Sequence, residues 1–130
     1  MQRGEIWLVD LEPARDGEAN KLRPAVVVSN DGANATASRL GRGVVTVVPV
    51  TTNVNKIHPF QVLLRAGETG LREDSKAQAE QIRSVAVQRL GARIGAVPVA
   101  VMTIMPCGFT WLCSVWKSYH ASAPECVNPS

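Results

Sequence analysis

Apolar residues in this chain come in short dense runs separated by polar turns, and no sustained helical period crosses the first hundred residues. Residues 5–11 (EIWLVDL) predict a compact strand stopped by Pro13. The polar segment 13–23 (PARDGEANKLR) predicts a loop. Residues 24–30 (PAVVVSN) are nearly continuous β-branched sequence, which predicts a strand buried on both faces. Residues 31–40 (DGANATASRL) predict one or two helical turns capped by Asn or Asp. A second buried strand follows at 43–50, where Pro49, unable to donate to a ladder, implies an edge or a bulge. Residues 59–64 (PFQVLL) predict a third strand, GETG at 67–70 a turn, and 84–87 and 94–97 shorter apolar runs. Strands at this spacing with so little helix predict a mainly β domain, a small barrel or strongly curved sheet.

The length of 130 residues suits one domain, and 45 % apolar against 19 % charged residues allows a packed core. A net charge of +3 is compatible with a nucleic-acid partner but does not argue for one by itself. The N-terminal MQRGEIWLVD carries acidic residues where a secretory signal needs an apolar core, so the cytoplasm is the expected compartment. Composition is uneven. Residues 1–101 hold no Cys and only Trp7 and Phe60 as aromatics, whereas 102–130 hold all three Cys, most of the aromatics, and only Lys117 and Glu125 as charges. The expected division is 1–101 and 102–130. Residues 94–116 carry no charge and exceed the roughly 20 residues of a bilayer span. Pro98 and Pro106 interrupt the run, and IGAV at 94–97 reads as a strand, so no membrane contact is expected. Cys107, Cys113 and Cys126 have neither paired spacing nor an even count, and no metal or cofactor is expected.

Four blocks change the picture: GEIWLVDLEPARDGEANKLRPAVVVSN at 4–30, VVPVTT at 47–52, PFQVLL at 59–64 and DSKAQAEQIRSV at 74–85. In this order and spacing they resemble the MazF/PemK toxins, the RNA-cleaving halves of bacterial toxin–antitoxin pairs, over residues 3–97. The resemblance implies a curved, SH3-like barrel of antiparallel strands, a homodimer, and metal-independent, sequence-selective cleavage of single-stranded RNA. It also implies a MazE-like antitoxin, acidic and partly disordered, laid across the RNA groove so as to block Arg23. The family's catalytic Arg matches Arg23, directly before Pro24, and its catalytic Thr matches Thr51. Glu18 matches an acidic position beside the site, and Lys21 is a candidate RNA contact in the same loop. Gln81 and Arg83 match positions near the RNA groove, with Ser75 in the neighbouring DS pair.

The chemistry such a site needs can be stated independently. Metal-free cleavage uses the adjacent 2′-OH as nucleophile; the protein must help remove its proton, stabilise the phosphorane, and protonate the departing 5′-oxygen. Arg23 offers planar bidentate donors for a phosphate and, being always protonated, serves charge stabilisation rather than base duty. Thr51 can donate to a non-bridging oxygen or orient the 2′-OH. Glu18 is the nearby group suited to act as base, although it can equally pair with Lys21 as a surface contact. Trp7 reads as a core or dimer contact rather than a base-stacking platform. His58 stands alone in the first 101 residues, which argues against paired-histidine chemistry. Arg15, Lys21, Arg39, Arg42, Lys56, Arg65 and Arg72 form no run in sequence. The competing reading from another class is a CcdB-like toxin that grips DNA gyrase and cuts nothing, or an inactive relic of a nuclease.

The resemblance stops near Met102. The family ends in an amphipathic helix with a pattern like Asp-x-Ala-Leu-x-x-His-Leu, whereas MTIMPCGFTWLC has no such period. Back-translated and read one frame over, the codons of 102–113 permit Asp, a fixed Ala, Leu and then His-Leu in order. The expectation is that a one-nucleotide frame displacement replaced the native helix with an unrelated apolar tail.

Overall fold

The structure, a computed structural model, describes residues 1–11, 22–103 and 105, and among these seven antiparallel strands form one sheet. They are β1 (Glu5–Asp10), β2 (Leu22–Val27), β3 (Val44–Thr51), β4 (Gln61–Leu64), β5 (Ser75–Gln78), β6 (Arg83–Ala86) and β7 (Leu90–Ala96). The order across the sheet is β4-β5-β3-β2-β1-β7, with β6 also paired to β3. Helix α1 (Asp31–Leu40) joins β2 to β3, the single turn α2 (Ala66–Thr69) precedes β5, and α3 (Val99–Met102) follows β7. Short 3-10 turns lie at Ala79–Gln81 and Val87–Arg89. The mainly β, curved antiparallel architecture expected from the sequence is the one observed.

Strand β3 is the hub, and Pro49 shows how. One edge of β3 pairs with β2; the other pairs with β6 through Val44–Val47 and then with β5 at Val50 and Thr51. Pro49 lies opposite Ala25 of β2, in the interval where β3 changes partner on its far side. The strand is therefore internal rather than an edge, and the missing N–H falls where the second ladder is interrupted.

Side chains alternate with the period of the pleat. Ile6, Val26, Val28, Val48, Val50, Val62, Leu64 and Ala77 fill one cluster, joined by Val97 and Met105. Val9, Leu11, Ala25, Val27, Val45, Val47 and Val85 fill the other, with Ala37 of α1 laid over them. From Ala25 onward the chain of β2 is thus buried on both faces, as its β-branched run predicts, whereas Leu22 and Arg23 at its start are exposed. Trp7 is half-buried against the second cluster, and its Nε1 donates to Glu5 Oε1 at 3.3 Å. Met105 is fully buried in the first cluster, so packing continues past the compositional break at 102. The expected frame displacement concerns a segment that lies, from residue 106 onward, outside the described residues. No helix among the described residues is long and apolar enough to cross a membrane, and residues 94–96 of the uncharged run belong to β7.

Two local elements exceed the sequence reading. Helix α1 runs ten residues; Asn30 Oδ1 accepts from Ala33 N at 2.8 Å, and Gly41 ends the helix at φ 65°. Asn34 is fully buried, and its Nδ2 donates to Ser29 O at 2.9 Å while Ser29 Oγ bonds to Asn34 Oδ1 and accepts from Thr46 N at 3.2 Å. Asn34→Ala leaves these groups unsatisfied and is expected to cost about 1–3 kcal/mol, read as a lower urea midpoint at unchanged slope. The GETG turn is a single helical turn, closed by Gly70 at φ 83° and started by Asp74 Oδ1, which accepts from Ala66 N at 2.8 Å. The carbonyl of Thr69 presses on β7 so closely that a Cβ at Gly95 would overlap it. Strand β5 is absent from the hydrophobic pattern. Its SKAQ becomes a strand because β3 and β4 supply ladders on both sides.

Candidate active site

The register of the ladders puts the two residues singled out by the sequence on one face of the sheet. Strands β2 and β3 pair as Ala25↔Pro49, Val26↔Val48 and Val27↔Val47. Val9 pairs with Arg23 on one side, and Thr51 pairs with Lys76 on the other, itself opposite Leu63. Thr51 and Lys76 are direct neighbours, and Arg23, two residues along β2 from Ala25, takes the same face at the end of this row. Its side of the sheet is that of the Val9, Ala25 and Val47 cluster, continued outward to solvent.

Each member has a distinct environment. Arg23 is exposed, and its guanidinium has no hydrogen-bond partner among the described residues, which leaves it available to an anion. Thr51 is half-buried, and its Oγ1 accepts from Asn53 N at 3.3 Å, which leaves the hydroxyl proton free to donate. Lys76 is 7 % exposed, and its Nζ donates to Lys56 O at 2.6 Å in the loop between β3 and β4. The sequence reading passed over Lys76, because only the pairing of β5 with β3 reveals its alignment with Thr51. Among the described residues the one ion pair is Arg93–Glu5, at 2.8 Å, so no carboxylate neutralises either cation of the row.

The remaining sequence candidates divide. Arg83 lies on β6 opposite Val47, on the same face as Arg23, and its Nη1 donates to Leu11 O at 2.7 Å. Arg89 Nη1 donates to Asp10 O at 3.3 Å, so two guanidinium groups hold the end of β1 where the first loop departs. Gln81 is exposed in the 3-10 turn before β6. Ser75 is not brought to this row. It is 3 % exposed, its hydroxyl donates to Glu73 O at 3.0 Å, and it faces the opposite side of the sheet. There a groove of about 580 Å³ is lined by Leu8, Pro24, Thr52, Leu71, Ile94 and Ser75 itself. Glu18 and Lys21 lie outside the described residues. Among the described residues no group of three or more His, Cys, Asp or Glu is placed to hold a metal ion.

The family model described as PemK-like, MazF-like toxin of type II toxin–antitoxin system matches residues 2–105. The Mycobacterium tuberculosis protein named Endoribonuclease MazF9 is 70 % identical over 100 residues, which is 77 % of this chain and 85 % of the relative. A second M. tuberculosis protein, Probable endoribonuclease MazF1, is 52 % identical over 92 residues, covering 69 % of this chain and 98 % of its own length. The fold is also that of a mycobacterial endoribonuclease solved with its cognate antitoxin, at TM-score 0.64 and 20 % identity over 96 % of this chain and 99 % of that one. The family match over residues 2–105, together with 70 % identity to an endoribonuclease of that family, places the chain in the PemK/MazF family of toxins of type II toxin–antitoxin systems.

Proposed function

We propose that the chain cuts single-stranded RNA at the row formed by Arg23 and Thr51, by attack of a 2′-OH on the adjacent phosphorus. The observation that carries this reading is that the pleat puts Arg23, whose guanidinium is unpaired among the described residues, on the same face of neighbouring strands as Thr51, whose hydroxyl is free to donate. The guanidinium binds two non-bridging oxygens and gains most when the phosphorane carries extra charge, so it favours the transition state over the bound substrate. Thr51 donates to a non-bridging oxygen or orients the attacking 2′-OH. Glu18, on the loop whose start Arg83 and Arg89 hold, is the base in this scheme, and Lys21 and Gln81 contact the flanking RNA. Arg83 serves by fixing the loop, and Ser75 by shaping the turn before β5.

Attack by the 2′-OH leaves a 2′,3′-cyclic phosphate and a 5′-hydroxyl. Incubation of mixed RNA with the protein in excess EDTA is therefore expected to give fragments that accept a 5′-label without prior dephosphorylation. Loss of cleavage in EDTA, or fragments with 5′-phosphates, would overturn the reading. DNA supercoiling by gyrase in the presence of the same preparation is expected to be unaffected, which separates the nuclease from a gyrase-gripping toxin.

The partners follow from the same face. An acidic, partly disordered antitoxin segment laid over the exposed guanidinium of Arg23 blocks Arg23 and Thr51 together. The named relative in the solved complex is held by a cognate antitoxin, which supports this reading. The toxin acts as a homodimer in the cytoplasm, where its RNA substrate is found.

A further inference from the structure

We propose that Lys76 is a positioning residue for RNA selection: it fixes the loop 52–60 against the Arg23–Thr51 row, and that loop selects the nucleotides beside the cut. The inference rests on the reading of that row as the cleavage site.

A lysine is rarely buried, because its ammonium can reach water on a flexible stem. Lys76 does the opposite. Its side chain is almost wholly covered, and its Nζ gives a short bond to a backbone carbonyl in the middle of the loop, Lys56 O. With no carboxylate neutralising it among the described residues, the charge is buried for the sake of what it holds. What it holds is well defined. Thr51 at the end of β3 and Leu63 in β4 flank Lys76 in the ladders, so the strands entering and leaving the loop both pair with β5. A second anchor closes the far end: Gln61 Oε1 accepts from His58 N at 3.0 Å, and Gln61 Nε2 donates to Glu80 Oε1 at 2.8 Å. The His58 and Phe60 rings stack there with centroids 5.2 Å apart.

Between the anchors the loop presents exposed Asn53, Asn55 and Lys56. Amide and ammonium groups of this kind hydrogen-bond the edges of unstacked bases, the usual way single-stranded RNA is read. Because Asn53 N also bonds to Thr51 Oγ1, the reading groups begin two residues from a reacting group. A loop free to wander would lose register with the phosphate held at Arg23. Lys76 prevents that.

The test uses the full chain with Lys76→Met, which keeps the stem and removes the donor, and Lys76→Arg, which restores one. Hydrogen exchange across 52–60 reads the loop without relying on activity, and KM, kcat and the spread of cut sites on mixed RNA read the consequence. In Lys76→Met, loss of a charge-assisted bond is expected to speed exchange in the loop and raise KM, each by about tenfold. The cut sites broaden and kcat changes little, while Lys76→Arg returns both toward wild type. Unchanged exchange in the loop, or freed exchange with an unchanged KM and cut pattern, overturns the proposal. Should Lys76→Met fail to fold, Glu80→Ala, an exposed change that releases the second anchor, must broaden the cut pattern; an unchanged pattern there also overturns it. Arg23→Ala in the same assay tells the two readings apart. Wild-type kcat in that variant removes the cleavage-site reading and leaves the exchange result on Lys76 standing.

Discussion

Arg23→Ala is expected to lower the rate of RNA cleavage by a factor on the order of 10² or more, because it removes a preorganised donor from the developing charge on phosphorus. The side chain is exposed and has no hydrogen-bond partner among the described residues, so its loss leaves no unpaired group and the fold should be unaffected. Thermal midpoint and circular dichroism are expected to match wild type while kcat falls. Thr51→Ala is expected to lose a similar factor, and the double variant much less than the product of the two, since both act on one phosphate. Arg23→Lys keeps the charge but loses the planar fork, and is expected to recover only part of the rate. A fall smaller than tenfold in Arg23→Ala would demote the residue from transition-state stabilisation to binding.

Gly95→Ala is expected to lower stability as much as Asn34→Ala. The obstacle is backbone rather than a pliable side chain: the new Cβ would overlap the carbonyl of Thr69. Relief requires α2 to lift from β7, and overpacking of this kind costs about 1–3 kcal/mol. In a domain of this size that lowers the thermal midpoint by roughly 4–8 °C per kcal/mol. Gly67→Ala, within α2 but with open space around the added Cβ, is the control and is expected to be neutral or slightly stabilising. If both variants melt together with wild type, the contact between α2 and β7 is looser than the geometry indicates. The consequence reaches the site as well. The chain passes from Thr69 through Asp74, whose carboxylate holds Ala66 N, directly into the strand that carries Lys76.

Much of this was legible in the sequence, for physical reasons that differ by residue. The buried strands β2 and β3 announce themselves because a strand covered on both faces is written as an unbroken run of Val. Arg23 and Thr51 stand out through the blocks that surround them, and the pleat places both on one face of the sheet. Lys76 could not be read that way. Its meaning lies in a pairing between strands far apart in the chain, and SKAQ has no apolar period to signal a strand. Pro49 illustrates the same limit from the other side. The missing donor correctly marks an interrupted ladder, but only the topology shows that the interruption is a change of partner in a central strand. Ser75 shares a block with Gln81 and Arg83, yet the pleat turns its hydroxyl to the opposite side. Proximity in sequence says nothing about which face a side chain takes.

The pairing of β1 with β7, Glu5 opposite Ala96, has a bearing on when the toxin comes into being. Contacts between the first and last strands are the slowest kind to form, and folding dominated by them takes milliseconds to seconds. A ribosome delivers the chain at about 5–20 residues per second, so β1 emerges early and its outer edge waits for nearly the whole domain to be made. Synthesis halted partway therefore yields a fragment with an unpaired strand edge, prone to association or degradation, instead of a finished toxin. The order of the strands itself delays closure of the sheet until Ala96 has been made.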